Sequence, residues 1–119
     1  LRSGKDTEKS KLCDVISEIC KNHNCEISFR SSYPAWEYKK ESMLRDTMIS
    51  VYREMYEKEL KVTAIHAGLE CGIFCGKIDG LDCVSLGPDM YDIHTPEERL
   101  SISSCRRVWE FLLRVLEII

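Results

Sequence analysis

The sequence predicts an α/β fold class in a chain of 119 residues, and three observations carry that prediction. Three segments repeat apolar residues at helical spacing, three short apolar segments read as strands, and Tyr33-Pro34-Ala35-Trp36 interrupts the regular pattern between them. After residue 41 the order helix, strand, strand, helix is that of an α/β layer.

The elements follow in chain order. Leu12, Val15, Ile16, Ile19 and Cys20 predict an amphipathic helix over 6–22, ended by Asn22-His23-Asn24. Residues 25–31 alternate, with Cys25, Ile27 and Phe29 on one face and Glu26, Ser28 and Arg30 on the other, the pattern of a half-buried strand. The polar stretch around 32–41 is the best internal boundary. Ser42 is a plausible N-cap for a helix carrying Leu44, Met48, Val51, Tyr52 and Met55 to about residue 60. Residues 61–66 read as a strand, a loop through Gly68, Gly72, Gly76 and Gly80 follows, and 81–86 reads as another strand. Val108, Phe111, Leu112, Val115 and Ile118 mark a last helix starting near Ser101 or Ser103.

Composition narrows the function classes. A 44% hydrophobic share suits a chain that buries a core, and 17 Lys plus Arg against 20 Asp plus Glu give a net charge of −3. No basic block points to nucleic acid. No apolar run reaches the roughly 18 residues of a membrane span, and the expectation is no membrane partner and a cytoplasmic location. Seven cysteines, an odd number without a scaffold spacing, read as reduced thiols. Cys13, Cys20 and Cys83 fall on apolar faces and suit core packing, whereas Cys71 and Cys75 form a CxxxC pair with no second pair. Those two thiols with His66 are one conceivable metal site. Leu1-Arg2-Ser3 reads as the end of a strand, so the chain reads as a piece of something longer.

Active sites of α/β sheets gather in loops beyond the carboxyl ends of strands, and two loops fit. One follows His66 and contains Gly68, Glu70 and Gly72; the other is GPDMYDIHTPEE, residues 87–98. In the second, Thr95, Pro96 and Glu98 have the spacing of a capping box, which would fix the turn after His94. A fixed turn is what a metal ligand needs, yet a solvated loop histidine has the same local pattern. Both readings of His94 stand on the residues alone, as do a ligand and a near-core reading of His66, and a ligand-facing and an exposed reading of Glu70. His23 and Arg30 read as surface residues.

IHAGLECGIF (65–74), DCVSLGP (82–88) and HTPEE (94–98), in that order, resemble the C-terminal part of the aminoacyl-histidine dipeptidase family, within the co-catalytic zinc peptidase superfamily. The likeness extends through Tyr33-Pro34-Ala35-Trp36 and the opening Leu1-Arg2-Ser3 to the final helix around Trp109, essentially the whole chain. It implies the end of a βαβ lid domain over 1–36 and the C-terminal segment of an α/β/α catalytic domain over 37–119.

The resemblance also implies roles. His94 would be a ligand of a dinuclear Zn²⁺ site, with two zinc ions, or other divalent metals, in the complete enzyme. His66, Gly68 and Glu70 would border the active site and help hold the substrate, and Arg2 would bind the substrate's terminal carboxylate, a task suited to a planar bidentate donor. The implied partners are an Xaa-His-type dipeptide, the N-terminal part of the same polypeptide, and a second copy joined through the lid. The family's His-x-Asp and Glu-Glu motifs do not occur here in their expected context, so no catalytic residue is expected in this chain. One histidine cannot hold two zinc ions, since a catalytic zinc takes about three protein ligands. The expectation is therefore an inactive fragment of a zinc dipeptidase; the alternative is a truncated, non-catalytic binding or dimerisation module derived from that family.

Overall fold

The computed structural model describes residues 1, 3–65 and 70–119. Its elements are α1 (Asp6–Asn22), α2 (Met43–Tyr56), α3 (Glu70–Lys77), β1 (Met90–Tyr91), β2 (Arg99–Leu100) and α4 (Ile102–Leu116). They form two compact units, one of Leu1–Lys40 with Val62–Cys83 and one of Glu41–Lys61 with Val84–Ile119. No described helix is long and apolar enough to cross a membrane.

In the first unit, α1 forms where its periodicity predicts. Asp6 and Glu8 sit in the first turn and Lys21 in the last, signs that oppose the helix dipole. The helix ends in a Schellman motif: Asn24 takes φ 52°, its N–H donates to the Lys21 carbonyl, and the Cys25 N–H donates to the Cys20 carbonyl at 2.8 Å. Asn tolerates this left-handed conformation better than most side chains, which is why Asn22-His23-Asn24 stops the helix. At the other end the Asp6 carboxylate accepts the Ala35 N–H at 3.0 Å and pairs with Lys9 at 2.6 Å, while Lys9 also donates to the Tyr33 carbonyl.

Residues 70–77, expected as part of a glycine-bearing loop, are helical. The physical reason is packing that overrides propensity. Gly72 and Gly76 are four apart on one face of α3, and that bare face lies against Pro34 and Trp36; a Cβ on Gly72 would stand 3.0 Å from the Pro34 carbonyl oxygen. Segment 33–36 is thus held by α1 through hydrogen bonds and by α3 through backbone contact.

The strands expected over 25–31, 61–66 and 81–86 do not form ladders among the described residues; His66 lies outside them. Residues 25–30 carry no regular structure, with Ile27 38% and Phe29 53% exposed. Alternation fixes which face a strand would bury, but a ladder also needs a neighbour for its N–H and C=O groups, and the described residues bring none to these segments. The core role expected of Cys13, Cys20 and Cys83 is also only partly met, since all three are half-buried.

The second unit is built on two helices. Ser42 caps α2 by accepting the Arg45 N–H at 3.1 Å, and Glu57 ends it at φ 53°. Met48 and Val51 of α2 meet Phe111 and Val115 of α4 in the buried core, flanked by Leu44, Tyr52, Met55, Tyr56, Leu60 and Val84. Tyr52 stacks edge-on to Phe111 with centroids 5.7 Å apart, and the Tyr56 hydroxyl donates to the Arg107 carbonyl at 3.1 Å. Arg114 bridges back to Glu54 at 3.0 Å.

Candidate functional site

Loop 92–98, the centre of GPDMYDIHTPEE, is carried by the second unit. Its base is the β1–β2 hairpin, with Met90 opposite Leu100 and Tyr91 opposite Arg99. The hairpin is fastened to the start of α4. Ser101 caps that helix by accepting the Ser104 N–H, and the buried Ser104 hydroxyl accepts the Asp89 N–H at 2.8 Å while donating to the Ser101 carbonyl at 2.8 Å. The Ser101 N–H returns to the Asp89 carbonyl at 3.0 Å, and Arg107 pairs with Asp89 at 3.2 Å. The sequence GPDM before the loop and SISS after it therefore act as one clamp.

The capping-box residues Thr95 and Glu98 start no helix, and α4 begins after Ser101, where the periodicity predicts it. The chain makes a single turn over 95–98 and enters β2, because Arg99 must reach its register with Tyr91; the helix begins only at Ile102. The capping-box side chains still work, displaced by one residue. Glu98 accepts the N–H of His94 at 2.8 Å instead of that of Thr95, and Thr95 Oγ1 accepts the Glu97 N–H at 3.3 Å while donating to the Asp92 carbonyl at 2.7 Å. Two further main-chain bonds, Thr95 N–H to Asp92 and Glu98 N–H to Thr95, close the loop. Arg99 pairs with the Asp92 carboxylate and lies 5.3 Å from the centre of the Tyr91 ring.

His94 itself has φ 66°, a left-handed backbone held in place by these bonds. Its side chain is exposed, and among the described residues the imidazole makes no hydrogen bond, so both ring nitrogens are available. Asp92, Glu97 and Glu98 make the surroundings acidic. Glu98 and Asp92 matter more to the loop than the sequence suggested, where Glu98 stood only as a helix cap and Asp92 had no role.

Glu70 is the exposed first residue of α3, where the helix dipole favours a carboxylate. It belongs to the first unit and His94 to the second. Arg2, His66 and Gly68 lie outside the described residues. Among the described residues no group of three or more His, Cys, Asp and Glu side chains could hold a metal ion. The described part of the chain thus offers one exposed imidazole on a fixed backbone, not a complete metal centre. A groove of about 460 Å³ in the first unit lies near Lys9, Cys13, Arg30 and Tyr33, with the Lys9 ammonium already committed to Asp6 and Tyr33.

Comparison with known proteins finds similarity to dipeptidases. The chain is 29% identical over 117 residues to the cytosol non-specific dipeptidase of Escherichia coli, a span of 98% of this chain and 24% of that protein. The crystal structure of aminoacylhistidine dipeptidase from Vibrio alginolyticus superposes with a TM-score of 0.82 at 28% identity, again over 98% of this chain and 24% of that one. No protein-family model matches the sequence. The chain thus resembles dipeptidases at the level of sequence and fold and spans about a quarter of their length. Its helices and small sheet are consistent with part of such an enzyme's α/β domain, as the sequence predicted.

Proposed function

We propose that this chain is the C-terminal part of a cytoplasmic, metal-dependent dipeptidase acting on Xaa-His-type dipeptides, and that its task is to present His94 to a dinuclear zinc site. The observation that supports this most is the superposition on aminoacylhistidine dipeptidase over nearly all of the chain, with 28% of residues identical. The hairpin loop adds a physical reason: the Glu98 carboxylate, the Asp92 carbonyl and the strands fix the backbone of His94, so the imidazole is aimed at little entropic cost.

On this reading His94 supplies one ligand and the others come from the N-terminal part of the same polypeptide. His66, Gly68 and Glu70 border the substrate, and Arg2 binds its terminal carboxylate. Residues 1–36 end the lid, through which two copies can associate, and 37–119 complete the catalytic domain. On this reading the hydrolytic centre is completed only by the rest of the polypeptide, in keeping with the lack of a metal-binding group among the described residues.

The experiment compares three preparations in zinc-containing buffer: the chain alone, the longer protein encoded by its reading frame, and that protein with His94→Ala. The expected result is no Xaa-His hydrolysis by the chain, turnover by the longer protein, and loss of both bound zinc and turnover on His94→Ala. Turnover by the chain alone would refute the incomplete site, and unchanged zinc content in the variant would refute His94 as a ligand. A reading frame without upstream His-x-Asp and Glu-Glu motifs would favour the non-catalytic binding module instead.

A further inference from the structure

Three of the seven thiols converge in the first unit. Cys71 and Cys75 are four residues apart on α3 and so share one face of the helix. An adjacent face of α3, that of Gly72 and Gly76, is fixed against Pro34, which limits how far the helix can roll. After α3 the chain reverses through Gly80, at φ 76°, and the Cys75 Sγ comes to 4.0 Å from the Leu81 carbonyl oxygen. That same carbonyl accepts the Lys39 Nζ at 2.6 Å, which pins the returning segment two residues before Cys83.

The returning segment brings Cys83 within electrostatic reach of both helix thiols. Burial pushes its thiol up to about 12, and Cys71 and then Cys75 act in the same direction through hydrogen bonding and charge. All three are half-buried free thiols, and with their described neighbours they make no group able to hold a metal. Cys71 and Cys75 cannot readily bridge each other, because Cβ atoms four apart on a helix stand roughly 5–6 Å apart and a disulfide needs about 3.5–4.5 Å. Cys83, arriving from outside the helix, has no such restriction.

We propose that Cys83 and one of the two α3 thiols, Cys71 or Cys75, form a reversible disulfide site oxidised by small-molecule disulfides of the glutathione type. A Cys71 or Cys75 thiolate, its proton lost to solvent, attacks one sulfur of the small disulfide. The S–S bond breaks, a mixed disulfide forms, and one small thiolate leaves and is protonated. Cys83 resolves the intermediate: it loses its proton to solvent, its thiolate attacks the helix sulfur, and the second small thiolate leaves and is protonated. Two protein thiols are oxidised by two electrons and one small disulfide is reduced to two thiols. The proposal is independent of the dipeptidase reading.

The test treats the whole 119-residue chain with glutathione disulfide, blocks remaining thiols with iodoacetamide, isolates monomer, and maps tryptic peptides without reduction. Cleavage after Lys77 separates Cys71 and Cys75, in peptide 62–77, from Cys83, in peptide 78–99. The expected product is 62–77 joined to 78–99, with the remaining thiol of 62–77 carbamidomethylated, two hydrogens lighter than those same two peptides unlinked and separated by dithiothreitol. It should dominate over any join of 78–99 to peptides 12–21, 22–30 or 100–106, which carry the other cysteines, and that preference should vanish when oxidation is done in urea. Recovery of 62–77 and 78–99 unlinked, or equal joining to the other peptides in the native chain, would overturn the proposal. Neither outcome depends on a variant folding.

Discussion

The Glu98 carboxylate accepts the main-chain N–H of His94 at 2.8 Å, so the residue that ends the loop holds the backbone of the residue at its tip. The bond is exposed but charge-assisted, and it is one of few that can hold His94 at φ 66°. Glu98→Ala should speed hydrogen exchange of the His94 amide about tenfold, the equivalent of roughly 1.4 kcal/mol. Glu98→Gln keeps an acceptor oxygen and should show a smaller acceleration. Amide exchange by NMR checks both, and equal exchange in the wild type and the Ala variant would show that the carboxylate does not hold the loop.

The backbone of His94 carries its own prediction. A β-branched side chain in the left-handed region costs about 1–2 kcal/mol, whereas glycine has no such cost. His94→Val should therefore lower the unfolding free energy of the chain by about 1 kcal/mol, and His94→Gly should leave it unchanged or slightly raised. Chemical denaturation of the two variants beside the wild type decides the point. If Val is tolerated as well as Gly, the loop does not impose the left-handed conformation.

Much of the fold was legible in the sequence. The α1, α2 and α4 periodicities, the Ser42 and Ser101 caps and the Asn24 stop are local signals, and local signals survive in any context. Strands 25–31 and 81–86 were legible only as a tendency, because their partners are not among the described residues. Helix α3 was hidden for the opposite reason: Gly72 and Gly76 lower helix propensity, and only the closeness of Pro34 explains them. At the site, the spacing of Thr95 and Glu98 announced a fixed turn, but not that Glu98 would hold the N–H of His94 instead of that of Thr95. The approach of Cys83 to Cys71 and Cys75 had one available clue, the i, i+4 spacing of the pair, and reading 70–77 as a loop concealed it.

Gly72 and Gly76 should separate packing from propensity. At Gly72 an added Cβ meets a backbone oxygen at 3.0 Å, which cannot swing aside, and Gly72→Ala should cost about 1–3 kcal/mol. At Gly76 the nearest atom is the Pro34 Cβ at 3.3 Å, a milder contact, and Ala gains about 1 kcal/mol of helix propensity there. Gly76→Ala should thus lie close to wild type. Unfolding followed by far-ultraviolet circular dichroism would check the order, and a Gly76 variant as damaged as the Gly72 variant would contradict the contact.

In the second unit, Val51 is 1% exposed between α2 and α4, and Val51→Ala removes two buried methyl groups. The expected cost is about 2 kcal/mol, with transfer and cavity contributions together. Tyr56→Phe removes only the hydroxyl that donates to the Arg107 carbonyl and should cost about 0.5–1 kcal/mol. Urea unfolding read by Trp109, which sits on α4, measures both. A larger loss for Tyr56→Phe than for Val51→Ala would mean that the two helices are joined by that hydrogen bond more than by their core.

The first unit should weaken in acid through Asp6. Lys9 and, next, the Ala35 N–H hold the Asp6 carboxyl below the ordinary aspartate range. A depressed folded value means that the ionised form stabilises the fold: the contribution is complete above the unfolded value of about 3.9 and is lost as pH falls through the lower folded value. Trp36, half-buried beside Ala35, reports this unit once the exposed Trp109 is replaced by Phe. In that background the urea midpoint of the Trp36 signal should fall with pH from about 4 downward more steeply than in an added Asp6→Asn variant. The Asn variant should be the less stable of the two at pH 7, where the wild-type carboxylate is fully ionised, and the gap should close in acid. Parallel curves for the two chains would show that the Asp6 contacts with Lys9 and Ala35 do not stabilise the unit.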